Sequence, residues 1–216
     1  MPENEIADAA TLTLDDLAER ARRLADGRGA RVLIGVVGAP GAGKSTVSEA
    51  LVARLGARAA LVPMDGFHLS QHVLERLGRA ERKGAADTFD AAGLAALLER
   101  IRTASGDVYA PTFDRSIEEP IAAGTVVPAS ADIVVVEGNY LLLGEGDWAG
   151  VQAALDEAWF VRIPHATRLE RLVARHVRFG RTHEAAEAWV RTVDEPNARL
   201  IERCVGRADL VVSLED

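Results

Sequence analysis

Residues 38–46 read GAPGAGKST, which is the residue pattern and spacing of a phosphate-binding loop. Glycines let the backbone curl until successive N–H groups point inward at phosphate oxygens. Lys44 then places an ammonium group near the β- and γ-phosphates of a nucleoside triphosphate, and the Ser45 hydroxyl is a ligand for Mg²⁺. We therefore expect ATP and Mg²⁺ as cofactors, bound by Gly38, Ala39, Pro40, Gly41, Ala42, Gly43, Lys44, Ser45 and Thr46. The alternative is a glycine-rich turn with an incidental lysine.

Two carboxylates end predicted strands and could complete a phosphoryl-transfer site. Asp65 follows an apolar run in the segment PMDGFH, and Glu137 follows three valines in VVVEGNY. In open parallel sheets, ligands bind beyond the carboxyl ends of the strands, so both acids are expected to face the phosphates. We assign Asp65 as the base that accepts a hydroxyl proton and Glu137 as a group that helps to hold Mg²⁺. Either carboxylate could instead simply cap the next helix.

The phosphate-binding loop and the two carboxylates can meet only if strands and helices alternate along the chain. Apolar, β-branched runs predict strands at 31–37, 59–64, 132–136, 158–163 and 210–212. Helical spacing predicts helices at 13–25, 44–55, 91–101, 166–177 and 184–204. Several prolines and glycines indicate a loop-rich segment at 107–128. The order predicts an α/β fold with a doubly wound parallel sheet, as one domain over residues 1–216 with an N-terminal helix within 1–28.

Composition narrows the class of protein. The chain has 216 residues and a net charge of −8, which argues against a nucleic-acid partner. No stretch has the length of a membrane span, and residues 1–10 do not resemble a signal peptide. The single cysteine, Cys204, is expected to be a small buried apolar group and suits a reducing cytoplasm. We expect a cytoplasmic protein without a membrane partner, with a homodimer as the commonest assembly of such chains.

Several segments in this order resemble the P-loop kinase family of uridine kinase, phosphoribulokinase and bacterial pantothenate kinase. They are the loop at 38–46, MDGFH at 64–68, KGAADTFD at 83–90, PTFD at 111–114, VVVEGNY at 134–140 and the arginine-rich stretch at 168–181. The chain is most similar to bacterial proteins described as fructose-transport-associated kinases. The resemblance spans most of the chain and implies a nucleotide-kinase-like fold with a helical lid within 166–190.

The resemblance also implies roles for individual residues. Asp65 would be the catalytic base, Lys44 and Arg175 would assist catalysis, and Ser45 and Glu137 would lie at the Mg²⁺ site. Lid arginines would close over the phosphates and exclude water, with Arg171 and Arg175 as the expected contacts and Arg178 and Arg181 as further candidates. The alternative is a solvated helix face on which these arginines pair with Glu170 and Glu184.

The acceptor side departs from the relatives. Uridine kinases carry an aspartate where this chain has Gly84, and the segment after Pro111 has Phe113 where a tyrosine is usual. Arg115 could bind an anionic acceptor, or it could form an exposed ion pair with Glu119. The expected acceptor contacts are Asp65, His68, Lys83, Phe113, Arg115, Glu118 and Tyr140.

The combined pattern favours an ATP-dependent small-molecule kinase. It would transfer the γ-phosphoryl group to an alcohol, with a sugar preferred over a pantothenate-like molecule or a nucleoside. One alternative is a regulatory or chaperone NTPase without a small-molecule acceptor. Another is a nucleotide-binding module that has lost catalysis.

Overall fold

A parallel six-stranded sheet forms the centre of the computed structural model, which describes residues 10–213. The strands, in chain order, are β1 (Ala10–Thr11), β2 (Val32–Val37), β3 (Ala59–Pro63), β4 (Val108–Asp114), β5 (Glu119–Val127), β6 (Ile133–Gly138), β7 (Glu157–Val161) and β8 (Leu210–Ser213). The sheet has the order β1-β8-β7-β2-β6-β3, while β4 and β5 form a separate antiparallel pair. The predicted parallel α/β architecture is confirmed, and the strands at 31–37, 59–64, 132–136, 158–163 and 210–212 are present with shifts of one or two residues at their ends.

Helices cover both faces of the sheet. They are α1 (Leu14–Asp26), α2 (Lys44–Leu55), α3 (Gln71–Arg76), α4 (Ala91–Thr103), α5 (Trp148–Ala153), α6 (His165–Arg178), α7 (His183–Trp189) and α8 (Glu195–Glu202). Alternate residues of β2 enter two different cores. Ile34 packs in the core formed with α1 and α2, whereas Leu33 packs in the core formed with α4 and α5. This two-sided burial explains why the central strands read as continuous apolar runs.

The first helix has the start signal that its sequence predicts. Thr13 is the N-cap, its hydroxyl accepts from the Asp16 N–H, and the Asp16 carboxylate accepts from the Thr13 N–H in return. This capping box satisfies two N–H groups that the first helical turn cannot pair internally. The helix lies within the predicted range 1–28; residues 1–9 of that range lie outside the described part of the chain.

The prediction of a loop-rich segment at 107–128 is wrong, because this segment forms a β-hairpin. Strands β4 and β5 pair along their length, with a register irregularity between Ala110 and Thr112 where Pro111 lies. A bulge tolerates proline since it interrupts the hydrogen-bond ladder. Val108, Ala110 and Val127 are buried, so one face of the hairpin joins the core. The residues that indicated loop structure are therefore accommodated within strands.

The predicted helix at 184–204 is interrupted. Between α7 and α8, residues Val190–Asp194 form a π-helical turn, and α8 ends at Glu202, two residues before the buried Cys204. A π turn inserts one residue into the helix and changes the direction of the side chains that follow. Among residues 10–213, no helix combines the length and the apolar character that a bilayer crossing requires.

A buried arginine at the start of β2 ties the hairpin to the sheet. The Arg31 guanidinium donates to four backbone carbonyls: Ala131 at 3.0 Å, Ile101 at 2.9 Å, Gly106 at 3.2 Å and Pro128 at 3.0 Å. The residue is only 8% exposed. These bonds hold the end of α4 and the segments flanking the hairpin to one point beside β2.

We predict that Arg31→Ala lowers the free energy of unfolding by about 3–5 kcal/mol, because it leaves several buried carbonyl groups without a donor. Arg31→Lys should lose less, since one ammonium can replace part of the network. Urea denaturation followed by circular dichroism measures the change. Arg23→Ala on the exposed side of α1 is the matched control and should change stability by less than about 0.5 kcal/mol. Equal losses for the two alanine variants would contradict the structural role of Arg31.

Candidate active site

The loop between β2 and α2 has the backbone shape of an anion cradle. Gly41 and Gly43 have φ values of 82° and 90°, a region that side chains disfavour. Gly41 also lies against α6: a Cβ there would come within 2.8 Å of Leu172 Cγ and 3.0 Å of the Arg168 carbonyl oxygen. Helix α2 begins at Lys44, so its positive N-terminal end follows the loop directly.

Lys44 is held inside this loop. It is 7% exposed, and its Nζ donates to the Ala39 carbonyl at 3.2 Å. Burial lowers the pKa of the Lys44 ammonium, and the nearby Glu137 carboxylate acts in the opposite direction. An ammonium removed from water beside a ring of N–H donors is a strong site for a polyphosphate.

Glu137 lies in β6, between β2 and β3. Burial raises the pKa of its carboxyl group, while the charge of Lys44 and a hydrogen bond from Ser45 oppose that rise. Oxygen donors of this kind, a carboxylate and a hydroxyl beside a phosphate cradle, fit Mg²⁺. Glu137 does not cap a helix, so the alternative interpretation of this residue is not what the structure shows.

Asp65 lies directly after β3, in the short 3₁₀ turn Met64–Phe67. Its Oδ2 accepts from Arg115 Nη2 at 2.9 Å, and its side chain is 30% exposed. The predicted alternative partner of Arg115 was Glu119, and that pairing is wrong: Glu119 Oε1 accepts instead from the Gln71 N–H at 2.9 Å. The Asp65 carboxylate makes no helix-capping hydrogen bond.

His68 is fixed between two aromatic rings. Its ring centroid lies 4.0 Å from that of Phe89 and 4.6 Å from that of Phe113. Its Nδ1 is 2.8 Å from the Asp65 carbonyl oxygen, and burial lowers the pKa of the imidazole.

Lys83 Nζ donates to the Glu118 carbonyl at 2.6 Å and lies 5.7 Å from the centroid of the Phe113 ring.

Tyr140 is buried behind the cleft and does not line it. It is 1% exposed, and its hydroxyl donates to the Gly84 carbonyl at 2.7 Å. The buried ring packs 5.7 Å from Phe89. The expected contact between Tyr140 and the acceptor is therefore corrected: this residue holds the segment 83–90 from behind.

The predicted lid arginines occupy different places. Arg175 and Arg181 line the cleft, with the Arg181 guanidinium 4.0 Å from the centroid of the Trp189 ring. Arg171 Nη1 lies beside Gly43, 3.6 Å from where a Cβ would be. Arg178, the last residue of α6, does not line the cleft.

Sequence reasoning missed two groups that position α6. The buried Arg168 donates to the Pro40 carbonyl at 3.3 Å and pairs with Glu195 of α8. Asp194, in the π turn, is 2.7 Å from His176 Nε2 through its Oδ2. These contacts join residues far apart in the chain, so no local pattern could have shown them.

Most of the predicted site residues open onto one cleft of about 600 Å³, whereas Tyr140, Arg171 and Arg178 do not line it. The predicted site residues among its lining are Pro40, Lys44, Ser45, Asp65, His68, Lys83, Phe113, Arg115, Glu118, Glu137 and Arg175. A larger apolar groove of about 810 Å³ lies between α6 and the α7–α8 segment, and none of the predicted site residues line it. The cleft therefore joins the phosphate loop and the predicted acceptor residues in one space.

Comparison with known proteins agrees with the family resemblance of the sequence motifs. Residues 33–215 match the phosphoribulokinase / uridine kinase family. The chain belongs to this family. It is 33% identical over 194 residues to a Schizosaccharomyces pombe protein provisionally described as a uridine kinase, across 84% of this chain and 83% of the relative. Pantothenate kinase of Streptomyces coelicolor is 28% identical over 219 residues, across 85% of this chain and 66% of that enzyme.

A solved structure agrees in fold. A Silicibacter sp. TM1040 protein, provisionally described as a fructose transport system kinase, is 38% identical to the chain with a TM-score of 0.86. The match covers 93% of this chain and 98% of the other. Membership of the family supports an ATP-dependent phosphotransferase that acts on a small molecule and binds nucleotide through a P-loop.

We predict that Gly41→Ala weakens ATP binding at least about tenfold, because the added methyl group must displace Leu172 or the backbone of α6. Isothermal titration calorimetry with ATP and Mg²⁺ measures the effect. Gly56→Ala is the matched control: its φ is also positive, at 62°, but nothing lies within 4 Å of the added carbon. The positive φ alone should cost each variant about 1–2 kcal/mol of stability. Equal ATP affinity in both would contradict the steric argument.

Proposed function

We propose that this chain transfers the γ-phosphoryl group of ATP to a hydroxyl group of a small metabolite. The observation that carries the proposal is the shared cleft, onto which the phosphate loop, Glu137 and Asp65 all open. A phosphate loop alone would also suit a regulatory NTPase. The cluster of His68, Lys83 and Phe113 beside Asp65 favours a small acceptor.

ATP binding is assigned to the loop and its neighbours. The N–H groups of residues 38–46 and the Lys44 ammonium would hold the phosphates, and Arg171 and Arg175 of α6 would approach them from the other side. Ser45 and Glu137 would hold Mg²⁺. This ion would neutralise the negative charge that develops on the phosphates during transfer. Arg168 positions α6 by binding the Pro40 carbonyl.

Asp65 is assigned as the base. A kinase needs a carboxylate that accepts the proton of the attacking hydroxyl and orients its oxygen in line with the phosphoryl group. Asp65 is partly exposed to the cleft, and its charge is close enough to Lys44 and Glu137 to influence both. This position lies between the phosphate loop and the acceptor pocket.

We predict that Asp65→Asn retains ATP binding and lowers acceptor-dependent phosphoryl transfer by about 10²–10⁴-fold, the usual contribution of a general base. ADP release with a panel of sugars, glycerate, pantothenate and nucleosides measures transfer, and calorimetry measures binding. Asp147→Asn, in an exposed loop outside the cleft, is the control and should keep full activity. Unchanged turnover in Asp65→Asn would remove this residue from the role of base.

We predict that Glu137→Gln raises the Mg²⁺ concentration required for half-maximal activity by about 10–100-fold, because the amide lacks the charge of the carboxylate. Mg²⁺ titration of ADP release at saturating ATP measures the shift. The variant should also lose stability, because the buried Lys44 ammonium no longer has the Glu137 charge beside it, so the titration is run at a temperature where the variant is fully folded. Glu145→Gln, an exposed residue outside the cleft, should leave the Mg²⁺ dependence as it is. The same dependence in both variants would contradict the assignment.

A further inference from the structure

Two cations on the acceptor side of the cleft lie beside one aromatic ring. Lys83 Nζ is 5.7 Å and Arg115 Cζ is 6.0 Å from the centroid of Phe113. The bond from Lys83 to the Glu118 carbonyl satisfies one donor but does not neutralise the ammonium charge. The pocket that would receive the acceptor is therefore lined by two positive charges on different segments of the chain.

The carboxylate assigned as base is engaged by one of these cations. Arg115 Nη2 donates to Asp65 Oδ2 at 2.9 Å, and the arginine side chain is 52% exposed. The guanidinium occupies Oδ2, which leaves only Oδ1 for an acceptor hydroxyl while Arg115 stays in place. Once Asp65 accepts a proton, Arg115 also loses the charge that it pairs with, unless the acceptor supplies another anion.

The imidazole beside Asp65 has a defined tautomer. A carbonyl oxygen can only accept, so the 2.8 Å contact with the Asp65 carbonyl requires the proton on His68 Nδ1. Burial lowers the pKa of His68, so the ring is neutral near pH 7 and Nε2 is an acceptor. A neutral imidazole can accept a hydrogen bond from a substrate hydroxyl while the two cations bind a different, negative part of the same molecule.

We propose that the acceptor is an alcohol that also carries a carboxylate or phosphate group, and that this anion draws Arg115 away from Asp65. The proposal rests on the kinase function proposed above and specifies its substrate class. Arg115 and Lys83 bind the anion, and His68 accepts from a hydroxyl. Asp65 becomes available as a base only when such an acceptor is bound, which limits transfer of the phosphoryl group to water.

The transfer step balances without a further reactant. The acceptor oxygen forms a bond to the γ-phosphorus, and the bond between that phosphorus and the β–γ bridging oxygen breaks. The hydroxyl proton passes to Asp65, and ADP leaves with the bridging oxygen. Release of the phosphorylated acceptor and of the proton from Asp65 allows Arg115 to pair with Asp65 again.

The charge of the acceptor can be tested before its identity is known. A protein-free extract of bacterial metabolites is divided on an anion-exchange resin, and each fraction is incubated with the full chain, Mg²⁺ and γ-labelled ATP. We expect a labelled product from the retained fraction and none from the flow-through, with Asp65→Asn as the blank. Label transferred only to the flow-through would overturn the anionic acceptor and leave the kinase function intact. Label in neither fraction would contradict both proposals.

Matched pairs of compounds distinguish the two anions. D-glycerate is compared with glycerol, pantothenate with panthenol, and ribose 5-phosphate with ribose. Stimulation of ADP release by the charged member of a pair supports the proposal and identifies carboxylate or phosphate as the recognised group. A neutral member that stimulates as well as its charged partner would overturn it.

Variants of Arg115 separate recognition from structure. With the active retained fraction, Arg115→Gln should raise the apparent KM about 30-fold with little change in kcat, the loss expected for one charge-assisted contact. It should also increase ATP hydrolysis without acceptor severalfold, because Asp65 is released. Arg115→Lys should recover part of the affinity, and Lys83→Gln should also raise KM. Arg76→Gln on α3, outside the cleft, is the control. An unchanged KM in both Arg115→Gln and Lys83→Gln would refute the proposal.

Discussion

The register of three parallel strands is the constraint on which the site depends. Val37 of β2 pairs with Gly138 of β6, and Pro63 of β3 pairs with Glu137. Parallel strands end at the same edge of a sheet, so the phosphate loop, Glu137 and Asp65 emerge side by side. A slip of one residue in β6 would turn Glu137 to the opposite face and place an apolar side chain beside the loop. Such a slip would also exchange the side chains of β6 between the two cores, which the close packing of each core opposes.

The charged side chains of the cleft differ in how deeply they are buried: Lys44 is buried, whereas Arg115 and Asp65 are partly exposed. Lys44 is nearly inaccessible, and the opposing effects of burial and of Glu137 on its pKa show that each charge depends on the other. Breaking such an arrangement costs about 3–5 kcal/mol, because one charge remains buried without compensation. On the role proposed for the loop, the Lys44 ammonium is already held at the phosphate site before a nucleotide binds. The nucleotide side of the cleft is accordingly preorganised.

Local patterns in the sequence predicted the parts of the site that local backbone chemistry determines. The loop at 38–46 and the strands that precede Asp65 and Glu137 follow from residue order and spacing, whereas the role expected of the α6 arginines came from the family resemblance. The hairpin was missed because prolines and glycines that usually indicate loops lie at a bulge and at close cross-strand contacts. Tyr140 was misplaced because its partner, the Gly84 carbonyl, is 56 residues away in the chain. Tertiary contacts of this length carry no signal in a single sequence.

The acceptor side differs from the nucleotide side in how firmly its charges are held. The pair of Arg115 and Asp65 is partly exposed on both partners, and exposed ion pairs contribute only about 0–1 kcal/mol. A hydrogen bond to a charged group in a more enclosed setting contributes about 1.5–3 kcal/mol, so a ligand that encloses Arg115 against Phe113 can replace Asp65 as its partner. In the proposed mechanism, the same difference in burial allows Arg115 to move while Lys44 stays in place. Fixed charges on one side and an exchangeable charge on the other are what an enzyme needs if it is to bind nucleotide first and release its base only for the acceptor.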